Sequence, residues 1–298
     1  MGVEKKYSIL LYYKYVTVAD PEEVRVTQRK ICEKLGLMGR ILIAEEGING
    51  TVEGTTDACR EYVAYMQADA RFAEVDFKWS EGTGTAFPRL SIRVRPEIVT
   101  TGLVDKDVGP LHAKTGKYLT AEELYEWYEQ GREFYIVDMR NDYEFDVGHF
   151  RGSLFPEGLY HFRDLPNNVE KIAHLRNKTV VGVCTGGVRC ETASGLLIKY
   201  GFEDVYQLHN GMHDFIAKFP NSYFEGKLYM FDGRETWAFG ADLPGHQVIG
   251  KCRVCGVESE HFINWNDETG IRKHGIVCQS CCTQGKVILQ HGYKRLSN

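Results

Sequence analysis

Nine cysteines are the residues of this chain best suited to chemistry, and their spacing sorts them into three groups. Cys184 and Cys190 bracket a short glycine-containing loop, CTGGVRC, at the end of the apolar run VVGV. Cys252, Cys255, Cys278 and Cys281 form two C-x-x-C pairs, with Cys282 directly after the last. Cys32 and Cys59 stand alone in helical-looking segments and read as small buried hydrophobes. In the first group, a buried strand ending at Cys184 and a helix beginning near Cys190 would leave Thr185, Gly186, Gly187 and Val188 as a loop whose backbone N–H groups converge. Gly186 and Gly187 allow the backbone angles this needs. Converging N–H groups at a helix N-terminus favour an anion. The thiolate of Cys184 is such an anion, and its pKa should fall below the free value of about 8.5. Arg189 adds a fixed positive charge. The stretch therefore predicts an activated cysteine nucleophile, Cys184, with Arg189 and Cys190 as its catalytic partners. Two other readings are a buried cysteine beside an ordinary glycine turn and a Cys184–Cys190 disulfide. A reducing compartment argues against the disulfide as a permanent state.

The second group has metal-ligand spacing. Each C-x-x-C pair can turn two thiolates toward one tetrahedral ion, and HFINWNDETGIRKHGIV between them has the composition of a hairpin. Twenty-two residues separate the pairs, slightly more than the roughly 15–20 of common zinc ribbons. A structural Zn²⁺ on Cys252, Cys255, Cys278 and Cys281 is expected, with metal binding contributing much of the folding energy of so short a segment. The alternative is a set of reduced, unliganded thiols. Four cysteines leave no open coordination position, which excludes a catalytic zinc, and Cys282 is either spare or a substitute for Cys281.

The elements that must position these groups fall into three segments of the 298 residues. Residues 1–100 alternate strand-like and helix-like patterns. YSILLYYKY is followed by DPEEVRVTQRKICEKLG, with Asp20 as N-cap, Pro21 in the first turn and Gly36 at the stop. GRILIAEEGINGTVEG reads as two strands around a turn at Gly47–Gly50, TTDACREYVAYMQADARF as a helix, and FPRLSIRVRP as the last strand. This β-α-β-β-α-β order predicts a ferredoxin-like sandwich. Thr101–Lys117 reads as a linker. Residues 118–225 carry a capping box (Thr120, Glu123) and the apolar runs EFYIVDMR, KTVVGVC and VYQLHNG, as in a doubly wound α/β unit whose working loops follow its strands. Residues 226–298 lose the periodicity and hold the cysteine pairs. No apolar run approaches the roughly 20 residues of a membrane span, Leu10–Tyr13 is too short for a signal core, and MGVEKK lacks a myristoylation signal. A cytoplasmic protein with no membrane partner is expected.

Four residues, Thr185 to Val188, separate Cys184 from Arg189. Cysteine phosphatases, which cradle a whole phosphate, have one residue more, and the smaller ring suits a single added sulfur. The loop resembles that of the rhodanese family. VDMRNDYEFDVGHFRGS resembles that family's characteristic segment, with Asp138, Arg140, Glu144, Gly148, His149 and Gly152 at matching positions in structural roles. His149 also admits a reading as a base. Taken in order, AEEGINGTVEG, RNDYEFDVGHF, FRDLP, CTGGVRCE and FDGR resemble the rhodanese-containing tRNA uridine hydroxylases (the TrhO family) over residues 5–240. The resemblance implies an acylphosphatase-like, ferredoxin-like front domain ahead of a rhodanese domain. It also implies oxygen-dependent formation of 5-hydroxyuridine at the tRNA wobble position, with Cys184 as a persulfide-forming catalytic residue. Thr192 stands where that family usually has lysine, and Asn210 where it commonly has the first of two glycines. No flavin, haem or non-haem iron motif is visible.

A net charge of −5 gives no global reason to bind nucleic acid, so an RNA contact must be local. In FPRLSIRVRP, Leu90, Ile92 and Val94 point to one face and Arg89, Arg93 and Arg95 to the other. These arginines read either as a phosphate-contacting face or as an edge strand charged against aggregation. Lys286, Lys294 and Arg295 are a second, weaker basic group. The leading expectation is a tRNA-modifying oxidoreductase. The alternative is a rhodanese-type sulfurtransferase carrying a persulfide on Cys184, with a sulfur donor protein or a small thiol as its partner. A non-catalytic RNA-binding module is disfavoured by the intact nucleophile loop.

Overall fold

Strand β1 (Tyr7–Tyr15) buries Leu10 and Tyr12 on one face and carries Ile9, Leu11 and Tyr13 on the other, and the first region is organised around that division. The computed structural model describes residues 6–103, 108–266 and 269–289. Helix α1 (Pro21–Leu35) opens where the Asp20 side chain accepts from the Glu23 N–H at 2.9 Å, and it stops at Gly36 with φ 67°. There follow β2 (Met38–Ala44), β3 (Gly47–Thr55), α2 (Thr56–Gln67), β4 (Lys78–Gly82) and β5 (Leu90–Val94). The strands order as β4-β1-β3-β2-β5, antiparallel except where β5 joins β2 in parallel. Tyr12, Ile41, Val52, Tyr62 and Phe72 build the core between this sheet and the two helices.

Two local expectations are corrected here. The fourth strand of the ferredoxin-like order is β4, with the unpromising sequence KWSEG, and FPRLSIRVRP supplies β5, a fifth strand added at the β2 edge. KWSEG pairs only with β1 and lacks apolar alternation, so pattern alone does not mark it. The chain between β2 and β3 reverses at Glu45–Glu46, and Gly47–Gly50 already belong to β3. Gly50 is needed there for space, because a Cβ would lie 2.3 Å from Cζ of Tyr12.

The second region comprises β6 (Lys117–Leu119), α3 (Ala121–Glu129), β7 (Tyr135–Asp138), α4 (Asp142–Val147), β8 (Gly148–Phe150), β9 (Thr179–Val183), α5 (Val188–Lys199), β10 (Asp204–Leu208) and α6 (Gly211–Lys218). The Thr120–Glu123 capping box is formed at α3. Two 3₁₀ turns, Phe162–Asn167 and Val169–Leu175, lead into β9. The parallel sheet runs β6-β10-β9-β7. β7 and β9 are mostly apolar because both faces are covered: Val137, Val180 and Leu197 pack on one side, Ile136, Val181 and Phe215 on the other.

Beyond it, β11 (Phe224–Gly226) pairs with β8, and β12 (Leu228–Tyr229) pairs with β13 (Thr236–Trp237). An antiparallel hairpin of β14 (Phe262–Asn266) and β15 (Arg272–Ile276) precedes α7 (Gln279–Thr283) and β16 (Ile288–Leu289). The fold is thus α/β, with a ferredoxin-like front region, a rhodanese-type parallel sheet and a small cysteine-bearing C-terminal segment. Among the described residues, no helix is long and apolar enough to cross a membrane.

Candidate active site

Cys184 follows β9 directly, and α5 begins four residues later with Gly187 as its N-cap. Of the two glycines only Gly187 takes a left-handed φ, 97°; Gly186 needs no such conformation. The turn aims the Gly187 N–H at Sγ of Cys184, 3.2 Å away. Burial works against ionising this fully enclosed thiol, but several groups outweigh it. They are a hydrogen bond from Cys190, the Arg189 charge and the N–H groups of Arg189 and Cys190 at the helix start, and together they lower the Cys184 pKa to about 6. Burial and the neighbouring Cys184 charge push Cys190 the opposite way. One thiolate and one thiol therefore sit together. The loop is pinned from below, where Cys184 and Thr185 carbonyls accept from the Met212 and His213 N–H groups at 2.9 and 3.0 Å. Gly211 makes that approach possible: a Cβ would lie 2.6 Å from the Cys184 carbonyl oxygen.

Arg189 is engaged more closely than its sequence position indicates. Its Nη1 and Nη2 donate to the two carboxylate oxygens of Glu144 at 2.7 and 2.9 Å, and Nη2 also reaches Thr185 Oγ1 at 3.2 Å. Both partners are buried. The pair fixes the loop to α4, and burial's upward pull on the Glu144 carboxyl is overcome by Arg189 and Arg140. Behind it, Arg140 forms a second fully buried pair with Asp138 at 2.7 Å and donates to the Gly148 carbonyl. His149 stacks on Phe145 and bonds its carbonyl oxygen through Nδ1 at 2.9 Å, a structural placement.

The front sheet covers the loop with its helix-free face. A Cβ on Gly186 would lie 2.9 Å from Leu11 Cδ2, and one on Gly187 would lie 2.9 Å from the Tyr13 hydroxyl. Tyr13 donates to Glu191 at 3.0 Å and Tyr15 to the Val188 carbonyl at 3.4 Å, so β1 is tied to the first turns of α5. Tyr118 and Gln207 complete the surround of Glu191. None of this partnering has a signal in the sequence, since the contacting residues lie far apart along the chain. The same holds for Lys78 of β4, whose buried ammonium sits 5.1 Å from the Tyr13 ring centroid. It holds also for buried His213, whose pKa burial lowers to about 4, with the Lys78 and Arg234 charges acting in the same direction.

A cavity of about 430 Å³ opens beside the loop. The front sheet contributes Leu11, Arg40 and Leu42, the loop contributes Thr185, Gly186 and Val188, and Phe231 also lines it. Cys184 itself has no exposed surface. A second cavity of about 560 Å³ contains Arg89, Arg93 and Arg95. The three predicted arginines are exposed on the same helix-free face, and the register that sets Arg93 beside Leu42 puts them next to the first cavity. Lys286 is exposed, while Lys294 and Arg295 lie outside the described residues.

In the C-terminal segment, β14 and β15 bring the two knuckles together. The Sγ atoms of Cys252, Cys255, Cys278 and Cys281 all lie within 4.8 Å of one another, with Cys255 and Cys278 at 3.7 Å. Tetrahedral metal–thiolate bonds of about 2.3 Å require sulfur–sulfur separations of about 3.8 Å, so the four can hold one metal ion. The Cys278 N–H donates to Cys252 Sγ at 3.2 Å, the kind of hydrogen bond that supports a thiolate ligand. Cys282 stands apart, near His261 and the Val277 carbonyl. Cys32 and Cys59 are fully buried, and burial raises their pKa values to about 12 and 11.

Family models match three successive stretches: a UPF0176 acylphosphatase like domain at residues 7–98, a rhodanese-like domain at 120–218 and a rhodanase C-terminal domain at 225–291. Over 277 residues the chain is 40% identical to the tRNA uridine(34) hydroxylase of Cytophaga hutchinsonii, covering 93% of this chain and 86% of that protein. It is 42% identical to the protein of the same name from Bacillus cytotoxicus, covering 89% and 81%. Identity to that from Staphylococcus haemolyticus is 44%, covering 87% and 80%.

Proposed function

The chain belongs to the tRNA uridine(34) hydroxylase family, and from that membership we propose that it hydroxylates C5 of the wobble uridine of tRNA in the cytoplasm, with molecular oxygen as co-substrate and Cys184 as its reactive group. The observation that carries the assignment of Cys184 is its lowered pKa, about 6, in a loop that walls a cavity wide enough for a ligand. At neutral pH the sulfur is a thiolate, able to act directly or to attack the outer sulfur of a persulfide on a donor protein or small molecule, taking that sulfur as its own persulfide while the donor leaves as a thiolate. Cys190 donates a hydrogen bond to it. Thr185, Gly186, Gly187 and Val188 shape the cradle. Arg189, locked to Glu144, positions the loop and contributes charge.

The three regions divide the work. Residues 1–100 roof the loop and present Arg89, Arg93 and Arg95 to RNA phosphates, residues 118–225 hold the thiolate, and residues 226–298 are stabilised by a structural Zn²⁺ on Cys252, Cys255, Cys278 and Cys281. An anticodon base is single-stranded and can be splayed into a pocket without opening a duplex. The test is nucleoside mass spectrometry of tRNA from a strain lacking the gene. Complementation by the wild-type chain restores 5-hydroxyuridine-derived wobble nucleosides, Cys184→Ser restores none, and Cys190→Ser leaves a measurable fraction. If the wild-type chain restores none, while the pure protein readily moves sulfur from thiosulfate to a thiol, the molecule is a sulfurtransferase.

A further inference from the structure

The two cavities share the side chains of Arg40, Leu42, Phe231 and Asp232, so they adjoin at Phe231. One runs to the Cys184 loop. The other is lined by Arg89, Arg93 and Arg95 of the front sheet and by Arg272 and His274. Arg272 and His274 belong to β15, part of the hairpin strung between the two cysteine pairs. Arginines from opposite ends of the chain therefore line a single groove, together with His274, which burial and the Arg272 charge hold neutral.

The charge in this groove is poorly neutralised. Arg40, Arg89, Arg93 and Arg95 make no ion pair among the described residues, while Arg272 donates to Asn264 at 3.3 Å and lies close enough to Glu235 to interact with its charge. Of the two acids present, Asp232 is committed to Arg234 through a buried pair at 2.6 Å. Glu235 is half-buried and hydrogen-bonded to Asn264; burial raises its pKa against the opposing pull of Asn264 and the Arg272 charge, so it offsets at most one of the five arginines. An excess of arginine on a chain of net charge −5 is a local feature aimed at anions. Where the cavities meet, Phe231 is 39% exposed, with the Arg189 guanidinium 5.6 Å from its ring centroid and Tyr229 edge-on at 5.1 Å. An exposed aromatic ring between a basic groove and a mostly apolar chamber is the arrangement by which proteins hold a single-stranded nucleic acid, backbone in the groove and base on the ring.

We propose that the joined cavities are one tract for single-stranded RNA. The phosphodiester backbone lies between β5 and the cysteine hairpin, and one base stacks on Phe231 on its way to the Cys184 loop. This rests on the tRNA reading above and extends it by assigning a charged phosphate contact to Arg272, a neutral hydrogen-bond donor to His274, and the stacking platform to Phe231.

Fluorescence anisotropy with a labelled 17-nucleotide anticodon stem-loop carrying uridine at the wobble position, titrated at several salt concentrations, tests it without turnover. Arg272→Ala should weaken binding several-fold whatever the loop sequence, and should flatten the slope of log K against log salt by about 0.7. Phe231→Ala should weaken binding roughly 5- to 150-fold, as for a lost base–aromatic stack of about 1–3 kcal/mol, and should leave the slope unchanged. Phe231→Tyr should bind as the wild type does. Unchanged metal content and thermal midpoint show that each variant is folded. Wild-type affinity and salt slope in Arg272→Ala, or wild-type affinity in Phe231→Ala, overturns the tract. RNA binding with these mutational signatures in a protein that forms no hydroxylated product leaves the tract standing and overturns the hydroxylase reading alone.

Discussion

At Cys184 and Cys190 two identical side chains in one short loop are driven to opposite protonation states, and the hydrogen bond between them is part of the cause. Replacing Cys190 by alanine removes a donor to the thiolate, so the Cys184 pKa should rise from about 6 toward the ordinary thiol range. The pH dependence of alkylation, or of thiolate absorbance, reads this shift. The sign for stability follows. A thiol whose folded pKa is depressed contributes stability that is present above its unfolded value of about 8.5 and is lost as pH falls through about 6. Cys190→Ala should shrink that pH-dependent part. The Glu144–Arg189 pair makes a second prediction: Glu144→Gln leaves a buried guanidinium without its counter-charge and should cost about 3–5 kcal/mol, read as a large drop in thermal midpoint. The loop around Cys184 was legible because strand end, glycines and helix start are contiguous in sequence. The grip of Arg189 was not. Sequence alone turned it wholly toward the anion, and its carboxylate partner arrives from α4 only through the fold.

Among the elements, β5 was found and misplaced in the order, whereas β4 was not found at all. Both are edge strands, which pair on one side only, so local pattern sets neither the place of β5 in the order nor, where alternation is lacking, the existence of β4. β5 alternates because Ile92 completes the front core while its arginines face outward. In β4, Lys78 is buried and Trp79 exposed, the reverse of what polarity suggests. The cysteine hairpin was legible from spacing, since two C-x-x-C turns joined by a hairpin-length segment can close only one way around a tetrahedral ion. Its small core is made mostly of the cysteines themselves with Ile263, Val277 and Trp265, so little apolar area holds it without metal. A strong chelator should therefore release about one zinc per chain and loosen β14–β15 selectively. Trp265 emission and hydrogen exchange in the hairpin should change while the strands around Cys184 stay protected.

On the scale of the whole molecule, the front sheet and the rhodanese-type sheet share one buried boundary, and the thiolate lies inside it. A thiol with a pKa of about 6 would ordinarily be the fastest in the protein to alkylate. Enclosure beneath Leu11 and Tyr13 instead predicts that iodoacetamide reacts with Cys184 at a rate set by separation of the two regions. Leu11→Ala, which opens the roof above Gly186 and leaves the loop's own residues unchanged, should accelerate that reaction. RNA that occupies the cavity should slow it.

The contact of Leu11 with Gly186 also joins the histories of two regions that look separable. A methyl group at position 186 would fall 2.9 Å from a Leu11 methyl, so what the loop tolerates is decided by a side chain far away in sequence. Gly186→Ala should be defective in the present background and should recover when Leu11→Ala is introduced with it, a coupling of about 0.5–3 kcal/mol measurable in a double-mutant cycle. Each substitution is thus a candidate second-site suppressor of the other. A chimera that joins this front region to another relative's rhodanese-type region should fail or succeed according to whether residues 11, 13, 186 and 187 are inherited together.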